Sequence, residues 1–321
     1  MLAATALAVV RLHSLFAIVM LFGIYSLLSA SIFVVLDAVD VAFTEAAVGA
    51  GISTMLILGT LVITGHHEKN PRHGPWLPLI VVAVTGAVLV WGTLDMPIFG
   101  AADNPIHHHV APRYIEDSPQ EIGIPNMVTS VLASYRGYDT MGEVIVVFAA
   151  LVGVLALIGV TQGKSPQRQY TSEDKPPRPV LQVMSKLLIP YILLFGLYVQ
   201  FHGDFGPGGG FQAGVIFASA IILYTLTFGL DDALIMVSPP VIRPLAALGV
   251  LIYGGTGVVT LLMGGEFLNY SVLAHDPQHG QHYGILIIEF GVGLTVSSVM
   301  MLIFYAFISR GEKKGEHYES E

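Results

Sequence analysis

Long apolar runs separated by short polar stretches dominate the chain. Eight of them cover Ser14–Leu36, Val41–Ile63, Leu77–Leu94, Val144–Val160, Leu187–Phe201, Phe211–Leu230, Ile242–Met263 and Gly284–Ser309. A bilayer core takes about 20 apolar residues per helix, so each run predicts a membrane-crossing α-helix. The fourth and fifth runs are short, and their true ends are expected to take in flanking polar residues. The apolar character is continuous rather than alternating, which argues against a membrane β-barrel. The pattern therefore predicts an all-α, polytopic membrane protein with about eight transmembrane helices. Met1–Val10 is also apolar, but no basic segment precedes it and apolar character resumes after Arg11. It reads as a half-helix or surface segment rather than a cleaved signal.

Composition narrows the class further. Of 321 residues, 54% are hydrophobic and 12% charged, against about 25% charged in soluble domains. So few charges do not cover a water-facing surface, which excludes a soluble enzyme or a disordered tail. The net charge of −9 argues against nucleic-acid binding. Cysteine is absent, so thiolate metal sites, disulfides and Cys nucleophiles are excluded. With eight spans, all the Lys and Arg residues except Arg113 and Arg136 fall on one side of the membrane. The positive-inside rule then predicts that both termini are cytoplasmic.

Two polar stretches organise the chain, His66–Pro75 and the proline-rich Gly163–Pro179. The expected division is a membrane module over residues 1–75, a second over 76–163 with an outer loop at 95–139, a cytoplasmic linker at 164–182, and a four-helix membrane domain over 183–321. The two halves show no evident repeat, so an inverted-repeat transporter is not expected.

An ionisable side chain inside a span costs at least a few kcal/mol and marks a functional candidate. Glu45 lies just inside the second run, Glu143 opens the fourth and Glu289 lies within the eighth; Asp40 precedes the second, Lys186 starts the fifth and His202 closes it. The topology puts the three Glu residues and His202 in one layer, in the outer half of the bilayer. Lys186 belongs to the inner face, where it either snorkels to water or serves an ion. Each carboxylate is either an interfacial residue or a protein-facing one. The small residues around Glu45 (Ala46, Ala47, Gly49, Ala50, Gly51) and around Glu289 (Gly291, Gly293) allow close helix packing and favour a protein-facing side chain.

The loop His202–Gly214 (HGDFGPGGGFQAG) is the most unusual stretch, with Gly206, Pro207, Gly208, Gly209 and Gly210 at its centre. It lacks the GK[ST] of a phosphate loop. It is either a tight packed hairpin or a segment whose carbonyls line a cavity. The histidines at 107–109, 275, 279 and 282 are read as incidental, and no metal site is expected.

Three of these segments resemble a known family. Phe33–Ser53 (FVVLDAVDVAFTEAAVGAGIS) resembles the MbhD-like module at the C-terminal end of large Mrp antiporter A subunits. Tyr135–Leu157 (YRGYDTMGEVIVVFAALVGVLAL) resembles the adjoining MbhE-like module. Ile189–Gly214 (IPYILLFGLYVQFHGDFGPGGGFQAG) is similar to the signature of the MrpB (MnhB) subunit. The resemblance implies a fused B subunit of a multisubunit Na⁺/H⁺ antiporter. It implies a transport subunit rather than an enzyme, in a prokaryotic cell membrane, with no cofactor and with Na⁺ and H⁺ as the transported ions. Its implied partners are MrpA-, MrpC-, MrpD-, MrpE-, MrpF- and MrpG-like membrane subunits and the lipid bilayer. Glu45 and Glu143 match carboxylates that the family is thought to use in an ion path, and His202 with the glycines matches the B-subunit motif. The MbhD-like module usually begins with another full helix, of which Met1–Val10 would be the remainder, and the large antiporter domain is expected on a separate chain.

With titratable groups gathered on one side, the chain is expected to supply an outer half-path for ions together with helix-packing surfaces. It is not expected to carry ions alone. The same modules fit a redox-driven complex of the membrane-bound hydrogenase type, and a purely structural scaffold subunit is a third reading.

Overall fold

The computed structural model describes residues 1–68, 74, 76–158 and 179–318, with side chains through 310. The expected linker over 164–182 lies outside these residues except for its last four positions, which begin the helix Pro179–His202, and most of His66–Pro75 also lies outside them. The architecture is 82% helical, with no strand among the described residues.

A short apolar helix, α1 (Leu2–Arg11), precedes eight helices long and apolar enough to cross a membrane. These are α2 (Leu15–Val35), α3 (Val39–Thr64), α4 (Trp76–Thr93), α5 (Gly137–Ile158), α6 (Pro179–His202), α7 (Gly210–Phe228), α9 (Pro239–Leu262) and the membrane-length part of α10, Pro277–Arg310. A short α8 (Leu230–Met236) joins α7 to α9, and α10 continues as helix to Tyr318. The eight apolar runs and the half-helix at the N-terminus correspond to these elements.

The boundaries differ from the hydropathy reading in a way that matters. α5 begins at Gly137, so Glu143 does not open its span but lies nearly two turns inside it. α10 begins at Pro277, so Glu289 lies more than three turns in rather than one and a half. Local chemistry starts both helices early. Asp139 in the first turn of α5 is held by Arg136 at 2.6 Å, where an acidic side chain favours the helix N-terminus. In α10, the Asp276 carboxylate accepts from the Gln278 N–H at 3.4 Å, and Pro277 fits the first helical position, where no N–H is needed.

α10 is the hub against which α9, α7, α5 and α3 pack, and the lining of its contacts is glycine. A Cβ on Gly210 would stand 2.0 Å from the Glu289 carbonyl oxygen, and one on Gly214 2.8 Å from that of Gly293. On the α9 side, a Cβ on Gly249 would stand 2.3 Å from the Gly291 carbonyl oxygen and 2.2 Å from Thr295 Oγ1. Backbones thus meet directly, as small-residue interfaces in membranes allow. Thr295 adds a buried hydrogen bond to the Ala246 carbonyl at 3.0 Å. Tyr253, Val296, Ile285 and Ile288 fill the remaining core.

α3 is not uniform. Residues Ala46–Ile52 form a π-helical turn directly after Glu45. One extra residue per turn re-aims the side chains around it, a feature frequent at functional sites. α4 has no buried residue among those described. The segment at 95–136 folds into short helical pieces. Tyr135 donates to Glu121 at 2.5 Å, and this hydrogen bond, helped by the charge of Arg113, holds the Glu121 carboxyl below its usual range; burial and the same contact push the phenol up to about 12.

The glycine contacts generate a contrast. Gly210→Ala is expected to destabilise the protein by about 1–3 kcal/mol, as overpacking does, because its methyl meets backbone. Gly254→Ala, whose Cβ would meet nothing within 4 Å, is expected to be neutral or slightly stabilising. Thermal denaturation of the two variants in detergent checks the difference.

Candidate functional site

The polar side chains gather at one end of the bundle, around the loop between α6 and α7. The loop folds back on itself. Gly209 N–H donates to the Val199 carbonyl at 2.9 Å, and a Cβ on Gly208 would stand 2.7 Å from that same oxygen. Gly209 has φ +109°, open to glycine and strained for any other residue. The loop is thus packed on itself, with a buried carboxylate against its inner side. Glu289 Oε1 lies 2.9 Å from the Cβ position of Gly209 and 3.1 Å from that of Gly203.

Asn126 ties this loop to the rest. Its Nδ2 lies 3.0 Å from both the Gly203 and Gly206 carbonyls and 3.2 Å from Asp40 Oδ1, its backbone N–H donates to the Asp204 carbonyl at 2.9 Å, and Thr129 Oγ1 donates to the Gly203 carbonyl at 2.6 Å. Asp204, which follows Gly203, is buried and pairs through Oδ2 with His282 Nδ1 at 2.8 Å. Burial pushes the Asp204 carboxyl above its ordinary value, and His282 partly offsets the effect.

α3 reaches the same layer through Thr44. The Thr44 hydroxyl donates to the Asp40 carbonyl at 3.0 Å and accepts from Gln212 Nε2 at 2.7 Å. Glu45 turns the other way, along the π-turn. Its Oε1 lies 2.8 Å from the Cβ position of Gly49, which also faces Ser26 Oγ of α2 at 2.6 Å.

The structure brings together Glu289, Asp40 and the glycine loop, with Glu45 one residue away from the linking Thr44. Glu143 stands at the side. It is exposed on α5, and Tyr253 lies close enough to feel the charge of both Glu143 and Glu289. The Tyr253 hydroxyl donates to the Gly137 carbonyl at 2.7 Å, which fixes it at the start of α5. His202 lies on the outer side of the loop, stacked on Tyr198 at 4.8 Å, with its Nε2 3.1 Å from the Cβ position of Gly206. Lys186 is elsewhere. It lies over the Phe228 ring at 5.5 Å, about 24 Å along α6 from His202 at 1.5 Å per residue.

Asp204, His282, Asn126, Gln212 and Thr129 were not singled out as site residues from the sequence. His282 pairs with Asp204, while His279 lies 3.4 Å from Asp276, so the histidines near the start of α10 do not converge. No group of three or more His, Asp or Glu residues suited to a metal occurs among the described residues.

Three family models match the chain: the MbhD family of MBH over residues 1–65, the MbhE family of MBH over 80–165, and the MnhB family, a "Domain related to MnhB subunit of Na+/H+ antiporter", over 180–302. The mnhB2 antiporter subunit of Staphylococcus haemolyticus (strain JCSC1435) is 36% identical over 131 residues, 40% of this chain and 92% of the relative. The same subunit of Staphylococcus aureus (strain Newman) is 35% identical over 126 residues, 39% of this chain and 88% of the relative. Among solved structures, the Mrp complex from Dietzia sp. DQ12-45-1b contains a chain that matches with a TM-score of 0.73 at 24% identity. The match covers 95% of this chain and 34% of that one, so the chain spans about a third of the length of its structural counterpart. A chain of an archaeal respiratory membrane complex, the membrane-bound sulfane sulfur reductase (MBS), matches with a TM-score of 0.54 at 32% identity, covering 72% of this chain and 96% of that one. With eight apolar helices and these relatives, the chain is a multi-pass membrane protein that belongs to the MnhB family of Na⁺/H⁺ antiporter subunits.

Proposed function

We propose that this chain is a non-enzymatic subunit of a multisubunit Na⁺/H⁺ antiporter and supplies one half of an ion path, the other half lying on partner chains. The observation that carries the reading is Glu289, buried more than three turns inside α10 against the backbone of the glycine loop. A carboxylate at such depth is costly and marks an ion or proton route. Asp40 of α3 joins the same layer through Asn126, Gln212 reaches Thr44 beside Glu45, and Glu143 flanks it. Of the ionisable residues named from the sequence, Lys186 alone lies at the opposite end of the bundle among the described residues, which supports a half-path rather than a complete one. The basic residues favour cytoplasmic termini, which sets the polar layer in the outer half of the bilayer.

The partners in this reading are MrpA-, MrpC-, MrpD-, MrpE-, MrpF- and MrpG-like subunits. The unburied α4 and the exposed side of α5 that carries Glu143 offer surface for them. The three matched modules serve as joined membrane units, with no cofactor of their own. The likeness to the MBS chain favours one other reading, in which the same modules sit in the membrane arm of a redox-driven complex. Ion exchange that runs without an added electron donor separates the two.

Glu45→Gln is expected to reduce Na⁺/H⁺ exchange in everted vesicles to background, while the subunits still copurify. Normal exchange by that variant contradicts a role for Glu45 in the path.

A further inference from the structure

Two carboxylates in the polar layer each leave one oxygen without a hydrogen-bond partner. Asp204 is 3% exposed and Glu289 9%. Asp204 gives Oδ2 to His282, but its Oδ1 is buried and unpartnered, and so is Glu289 Oε2. A buried charge without compensation costs several kcal/mol, so such groups are paired or hold a cation. His282 is the only basic side chain in an ion pair with either group among the described residues. Lys186 is at the other end of α6, and Arg136 is engaged with Asp139.

A third oxygen approaches the Glu289 carboxylate, and the hydrogen-bond network fixes its direction. The single proton of the Thr44 hydroxyl goes to the Asp40 carbonyl, so Thr44 Oγ1 accepts and the amide group of Gln212 facing it is the NH₂. The Gln212 carbonyl oxygen is therefore turned away from Thr44. It lies 3.7 Å from the Cβ position of Gly209, the same position that Glu289 Oε1 approaches to 2.9 Å. Glycine at 209 leaves room between a carboxylate and an amide oxygen that any side chain would fill. Gly203, the neighbour of Asp204, meets the same carboxylate at 3.1 Å.

We infer that Glu289, Asp204 and the amide oxygen of Gln212 form a binding site for one partly hydrated monovalent cation of the Na⁺ class, seated against the glycine loop. All three donors are hard oxygens, the ligands that alkali and alkaline-earth cations prefer. Three donors do not fill the shell of any such ion, so a cation seated here keeps water at its remaining positions. His282 already occupies Asp204 Oδ2, which leaves Oδ1 of that carboxylate for the ion. The inference rests on the half-path reading and names the place in it where the ion loses part of its water.

The test uses the intact complex in native membranes. A hydrophobic carbodiimide modifies buried carboxyl groups, and mass spectrometry locates the adduct. Labelling of Glu289 is expected to fall about tenfold in Na⁺ at ten times its half-protecting concentration, as mass action requires, and to be unchanged in choline. Gln212→Leu is expected to raise the half-protecting Na⁺ concentration severalfold; if that variant does not assemble, the wild-type protection still decides. Equal labelling of Glu289 with and without Na⁺, equal protection by choline, or no labelling in either condition overturns the site. Protection in a complex that exchanges no ions keeps the site and removes the half-path reading. Exchange by a complex whose Glu289 is never protected does the reverse.

Discussion

The close approach of glycine backbones to α10 is the constraint on which the rest of the structure depends. Gly210 and Gly214 bring α7 against the Glu289–Gly293 stretch, and Gly249 brings α9 against Gly291 and Thr295. In lipid there is little hydrophobic gain in bringing two apolar helices together, so contact depends on packing and on buried hydrogen bonds. Because α7 starts at Gly210, the same contact draws the preceding loop onto α10. The glycines at 203, 208 and 209 leave the loop thin enough for a carboxylate to lie beneath it. Helix packing and the position of Glu289 thus have one cause.

The polar layer follows from that placement. Once Glu289 and Asp204 are buried, the loop carbonyls need donors, and Asn126 and Thr129 arrive from the segment before α5 to provide them. Gln212 reaches Thr44, and through it the helix that carries Asp40 and Glu45. Each of the three matched modules therefore contributes a side chain to one network: α3 from the first, Asn126 from the second, and Gln212 and Asp204 from the third, with Glu289 beside it. Pulling these modules apart would leave buried donors and acceptors unmatched, which costs about 1–3 kcal/mol for each group.

Much of this was legible in the sequence. The eight spans follow from apolar runs alone, because bilayer thickness sets their length. The glycine loop stood out by composition, and Glu45 and Glu289 by charge among small residues. Helix ends were less visible, since Tyr138, Asp139 and Thr140 look like loop yet form the first turn of α5. The residues that complete the site were the hardest to see. Asn126 and Gly203 are 77 positions apart, and no local periodicity marks a hydrogen bond at that separation. Nothing in the sequence of the glycine loop sets Asp204 apart, and His282 is one of several histidines. The available signal was an amide inside an apolar helix: Gln212 and Gln200 are polar side chains in α7 and α6, and both are buried.

The central claim is that the carboxylate of Glu289 belongs to the ion path rather than to the packing of the bundle. The most direct measurement is Na⁺/H⁺ exchange in everted vesicles for Glu289→Gln, which keeps the shape of the side chain, beside Glu289→Asp, which keeps the carboxylate. The account predicts that the Gln variant assembles with its partners but exchanges no ions, while the Asp variant retains part of the activity. Full exchange by Glu289→Gln would contradict it.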